Sequence, residues 1–166
     1  MRPTYQSQTG VVKLLFAAAP NPFDVKAALL AGHAQHPVIV HFPIALFIAS
    51  AVFEILAIWR KQPLLAVVAY FNLLGAAITV PLAVATGLGA WRWQLEKASL
   101  KGNLELHLVC GVTSAALILV LCLIRSRLRA KGESPRAAYF AGMALGLMMI
   151  TLTGHLGGIV SGADVQ

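Results

Sequence analysis

Four apolar runs, at about residues 37–59, 64–90, 104–124 and 137–160, constrain this chain more than any other feature. A helix needs about 20 residues, at ~1.5 Å each, to cross a hydrocarbon core of ~30 Å. Every run reaches that length. Backbone groups inside a bilayer must be satisfied within the fold, and each of these runs is expected to be a helix. The composition agrees: 58% of residues are hydrophobic and 11% charged, far from the balance of a soluble domain. The expected fold is all-α, an up-down four-helix transmembrane bundle over 36–162. A tail and a short N-terminal interfacial helix are expected in 1–35, where Asn21 can cap, Pro22 fits the first turn and Gly32 can end the helix. Val11 to Ala19 is apolar but broken by Lys13, and reads better as a surface-lying tail than as a signal-peptide core.

The net charge of +7 sits in the connections. Arg60 and Lys61 follow span 1, and Arg125, Arg127, Arg129, Lys131 and Arg136 follow span 3. Fewer basic residues flank the other side: Lys26, Arg92, Lys97 and Lys101, with Arg2 and Lys13 farther off. By the positive-inside rule the cytoplasm is expected beside 60–62 and 125–136, with both termini periplasmic. Trp59 marks one interface, and Trp91 and Trp93 the other. This charge reads as orientation and lipid contact. The chain carries no nucleic-acid module, and its first expected partner is the lipid bilayer.

Four crossings bring the start of span 1, the start of span 3 and the end of span 4 to one side. His41, His107 and His155 lie at those ends, and His33 and His36 just outside span 1. Histidine is costly in hydrocarbon, so its convergence points to a site. Small residues share the histidine stripes: Ala45 and Ala49 with His41, Cys110 and Ser114 with His107, Thr151 and Gly158 with His155. Span 2 adds Gly75, Thr79 and Thr86. Two imidazoles on facing helices can hold a non-covalent b-type haem. The pair expected is His41 with His107 or His155, leaving His36 to meet a propionate or a quinone. Two other readings stand beside it. Zinc or copper could sit on a cluster including His33, His36 and His41, although His36 and His41 stand ~140° apart on a regular helix. The histidines could also simply hydrogen-bond between the helices of a non-redox structural or assembly subunit.

Cys110 and Cys122 share one span and cannot pair with each other. With no C-x-x-C-H, covalent haem attachment is excluded. Glu54 is the one acid within a span, and a hydrogen bond to Asn72 is its plain expectation, a proton path or quinol site the sharper one. Gly142-x-x-x-Gly146 and Gly154-x-x-x-Gly158 read as packing seams. No hydrolytic or phosphate-binding pattern appears, so an electron-transfer subunit is expected more than an enzyme acting alone.

The run His36-Pro37-Val38-Ile39-Val40-His41-Phe42-Pro43 and the run Thr153-Gly154-His155-Leu156-Gly157-Gly158 are more specific. Together they resemble a bacterial family of membrane proteins known as domain of unknown function 2231, with its HP-x-x-x-HFP opening and glycine-rich end. The resemblance covers about residues 33–162. It implies a four-span unit in a bacterial inner membrane, with motif positions at His36, His41, His107 and His155. Members occur beside or fused to cytochrome-like domains, which implies haem. No such domain lies within these 166 residues, so other membrane subunits, and a periplasmic cytochrome or quinone, are the redox partners expected.

Overall fold

The computed structural model describes residues 32–93 and 99–161, and these form four helices. They are α1 (Gly32–Arg60), α2 (Pro63–Trp93), α3 (Asn103–Ala130) and α4 (Ala137–Val160). All four are long and apolar enough to cross a membrane. The interfacial helix expected before residue 32 lies outside the described residues. Gly32 is the first described residue of α1, which continues through Pro37 and Pro43. Pro37 falls near the helix start, where its missing N–H costs one bond at most. A boundary that differs is the end of α3. The basic run was expected as loop from residue 125, yet the helix continues to Ala130. Arginine is a good helix former, and Arg125 finds an acidic partner inside the bundle.

The bundle is two hairpins. The most extensive packing is α1 on α2 and α3 on α4, and α2 on α3 joins the pairs. Both hairpins turn the same way. At the end of α1, Gln62 N–H donates to the Ala57 carbonyl at 3.1 Å while Lys61 takes a left-handed φ of 51°. At the end of α3, Glu133 N–H donates to the Leu128 carbonyl at 2.9 Å around Gly132, φ 68°. Each is a Schellman closure, in which a left-handed residue lets the chain bond back across the last turn.

The outside of the bundle is apolar. Val38, Phe42, Val52, Ile55, Phe71, Ile78, Leu82, Val109, Leu123 and Met148 are all exposed. Water would drive such a surface to aggregate, whereas lipid chains match it. Inside, small residues let the helices approach. Phe47, fully buried on α1, reaches α4 at Gly146, where a Cβ would lie 2.8 Å from its Cζ. One turn away, a Cβ on Gly142 would lie 3.0 Å from Leu121 Cδ2 of α3. The Gly142–Gly146 pair is therefore a seam. Gly154 is not part of one: a Cβ there would meet open space.

These contacts set opposite expectations for two glycines on one helix. Gly146→Ala has to displace a ring that is packed on every side, and should destabilise by about 1–3 kcal/mol. Gly154→Ala should be neutral or stabilise by up to ~1 kcal/mol through helix propensity. Equilibrium unfolding of the two variants in detergent, followed by circular dichroism, measures the contrast.

Candidate functional site

Two histidines meet between the hairpins. The rings of His36 on α1 and His107 on α3 have centroids 6.5 Å apart, with planes at 86°. Both rings are half-buried, and each is fixed by the second helix of its own hairpin. His107 Nδ1 lies 3.0 Å from the Thr153 carbonyl of α4. A carbonyl can only accept, so Nδ1 carries a proton. His36 Nδ1 lies 3.2 Å from Thr86 Oγ1 of α2. The Thr86 hydroxyl already donates to the carbonyls of Leu82 and Ala83, both at 3.0 Å. With that proton spent on its own helix, the Thr86 oxygen can accept an Nδ1–H from His36.

Glycine makes room for both rings. A Cβ on Gly87 would lie 3.0 Å from His36 Cε1, and one on Gly157 would lie 3.1 Å from His107 Cε1. Each hairpin thus repeats one device: a histidine on the first helix, a threonine and a glycine on the second. A hydrogen bond from one ring nitrogen to a fixed acceptor is also how metal-ligating histidines are oriented. Thr86, Gly87, Thr153 and Gly157 were not expected as partners of particular histidines. The signal was present as Thr86-Gly87 and Thr153-Gly154-His155-Leu156-Gly157, but which ring meets which turn depends on packing.

The pairing expected of His41 with His107 or His155 is not the one that the fold brings together. His41 is exposed and its Nδ1 bonds the Pro37 carbonyl one turn back on its own helix. His155 is exposed as well. Helix periodicity accounts for both. Five residues from His36, His41 is turned ~140° away, and His155 stands ~200° from both Thr153 and Gly157, which face His107. The side chain of His33 lies outside the described residues. Among the described residues, no three of His, Cys, Asp and Glu gather as a metal-binding group.

With four spans and this histidine layer in place, comparison with known sequences decides the family. A family model described as predicted membrane protein (DUF2231) matches residues 32–164. The chain belongs to this family. No curated protein and no solved structure matches it. For this DUF2231 member, the histidine pair is accordingly interpreted from its own geometry.

A second polar layer lies toward the basic turn. Glu54 does not bond Asn72, whose amide instead donates to the Val68 carbonyl at 2.9 Å. Glu54 Oε1 accepts from Arg125 Nη2 at 3.0 Å, both side chains being buried. The arginine was expected in a loop, and only the extra turns of α3 carry it to the acid. Cys110 and Cys122 are both buried and free.

These Nδ1 protons are directly measurable. In bilayers, ¹⁵N spectra of histidine-labelled samples should show a protonated Nδ1 in both His36 and His107. Thr86→Val should shift the His36 signals and leave those of His107, whose acceptor is a backbone carbonyl.

Proposed function

We propose that this chain is a b-type haem-binding integral membrane subunit for electron transfer, with His36 and His107 as the residues that would hold the haem. One observation carries the reading: two half-buried imidazoles from different hairpins, with ring centroids 6.5 Å apart, each tied through Nδ1 to the second helix of its own hairpin. Two protein ligands suffice for a haem iron, since the macrocycle supplies the rest, whereas a structural zinc site calls for four. Gly87 and Gly157 leave room for the two imidazoles themselves, where a Cβ would press on each Cε1. Haem, when bound, would supply one-electron chemistry. The chain would supply the rest: Thr86 and the Thr153 carbonyl orient the rings, and the apolar helices exclude water. His41, on the outer face of α1, is free to meet a quinone or a neighbouring subunit.

The basic turns at Lys61 and 125–136 favour a cytoplasmic position for that side in a bacterial inner membrane, which puts the histidine layer near the periplasm. A periplasmic cytochrome or a quinone is then the natural redox partner, within a respiratory or photosynthetic complex. One observation favours a second reading. Both rings already bridge helices, which is all that a non-redox structural subunit would ask of them.

A dithionite-reduced minus oxidised spectrum of the purified protein, with a pyridine haemochrome assay, separates the two. Sharp reduced bands and about one b-haem per chain are expected. His36→Ala and His107→Ala should each abolish the bands, while His41→Ala and His155→Ala should keep them. A colourless protein after expression with ample haem would sink the haem reading. Bands that survive loss of His36 or His107 would move the ligands back to His41 or His155.

A further inference from the structure

The layer around Glu54 has polar valence left over. Among the described residues, Ser50 Oγ, Glu54 Oε2, Arg125 Nε and Tyr139 OH are buried without a hydrogen-bond partner. All four residues are more than nine-tenths buried: Ser50 0%, Glu54 3%, Tyr139 4% and Arg125 6% exposed. The case of Ser50 is pointed. Thr79, Thr86, Ser114, Thr151 and Thr153 all satisfy their hydroxyls on the carbonyl one turn back. Ser50 does not, although that acceptor is the cheapest one in a membrane helix. It lies one turn before Glu54, on the same face. The ion pair is also single-pronged. Arg125 uses Nη2 on Oε1 and leaves both Oε2 and its own Nε unbonded.

A half-open cavity near the basic turn shares one wall residue with this cluster. It has a volume of about 260 Å³ and is lined by Ile124, Leu128, Glu133, Arg136, Ala138 and Tyr139. Tyr139 belongs to both, as a wall of the cavity and a member of the buried cluster. Glu54 is six residues from the end of α1, about two turns from the surface. The ionisable groups near it are Arg125 and Cys122 on α3 and Tyr139 on α4. On α2, Tyr70 bonds Ser126 and lies under the Arg129 guanidinium.

We infer that Ser50, Glu54, Arg125 and Tyr139 form an intramembrane proton-binding site, loaded through this cavity from the side of the basic turn. Two to four polar partners are what a buried water needs, and the four unpaired atoms offer them. A proton arriving from the aqueous side passes along that water to Glu54 Oε2, where the new O–H bond forms. Oε1 stays bonded to Arg125 throughout, so the arginine keeps an acceptor in both states. No electrons move in this step, which stands independently of the haem reading.

Infrared difference spectroscopy of the whole chain in lipid bilayers, during perfusion with buffers of changing pH, tests it. Acidification should raise a carboxyl C=O band that shifts in D₂O and is missing from Glu54→Gln. Should that variant fail to fold, Glu54→Gln with Arg125→Gln removes both charges together and serves as the blank. Ser50→Ala and Tyr139→Phe each delete one hydroxyl that can stabilise the carboxylate through the water. Each should move the band's midpoint to higher pH, by about one unit or a tenfold change in proton affinity at most. Ala138→Trp, which fills the cavity, should slow the band's appearance after a pH jump several-fold. The inference is overturned if wild type and the blank give the same spectra at every pH where the protein stays folded. That result would leave Glu54 an ionised partner in a plain salt bridge. It is equally overturned if neither hydroxyl deletion moves the midpoint, or if the filled cavity leaves the rate unchanged.

Discussion

Lipid gives these helices no hydrophobic reason to prefer one another, since their apolar faces are as well solvated by acyl chains as by a neighbouring helix. Association must then come from close packing and from polar groups that hydrocarbon cannot satisfy. The bundle depends on both. Phe47 is seated on Gly146 and Leu121 on Gly142, where missing side chains let the helices touch. The polar contacts work over longer connections. His36 ties α1 to α2, His107 ties α3 to α4, and the Glu54–Arg125 pair ties one hairpin to the other. Breaking that last pair by removing one partner would strand a buried charge, at a cost of about 3–5 kcal/mol.

The two hairpins share a plan. Each turns through a Schellman closure on the basic side and carries a histidine near the opposite end of its first helix. Each then docks that ring on a threonine and a glycine of its second helix. The match is functional rather than literal, because Thr86 contributes a side-chain oxygen and Thr153 a backbone one. A ring held by its own hairpin is positioned before the hairpins meet. Bringing the hairpins together then sets two pre-oriented rings 6.5 Å apart with their planes at 86°. Little ordering remains to be done by whatever bridges them, which is the usual condition for a precise ligand site.

Much of this was legible in the sequence, and the exceptions have physical causes. Four spans followed from length and hydropathy because a bilayer admits few alternatives. The histidine side followed from topology alone. Which histidines face inward did not, although the ~140° between His36 and His41 was already visible. That angle says the two cannot share a face, but only packing says which one faces the bundle. The Arg125 position was misread for a different reason. A basic run after an apolar one reads as the membrane boundary, and the sequence gives no sign that the first arginine of the run is tethered to an acid. Glu54 was correctly singled out as costly, yet its partner lay on a helix whose length was underestimated by about a turn and a half.

What separates ordinary polar residues from functional ones here is the valence they leave behind. The threonines and serines that bond their own helix are closed: donor used, acceptor shared, nothing further to gain. The histidine layer is different, because each imidazole engages another helix through Nδ1 and carries a second ring nitrogen besides. The acid–base layer differs in the same way, with one contact made and an oxygen, a nitrogen and two hydroxyls left over. In water such remainders cost nothing. In a hydrocarbon solvent each one raises the free energy of the folded state, by about 1–3 kcal/mol for a buried hydrogen-bonding group. A ligand or a proton that takes up that valence recovers the cost on binding. The same solvent that makes polar groups rare in these spans therefore makes the few incompletely satisfied ones strong binding positions.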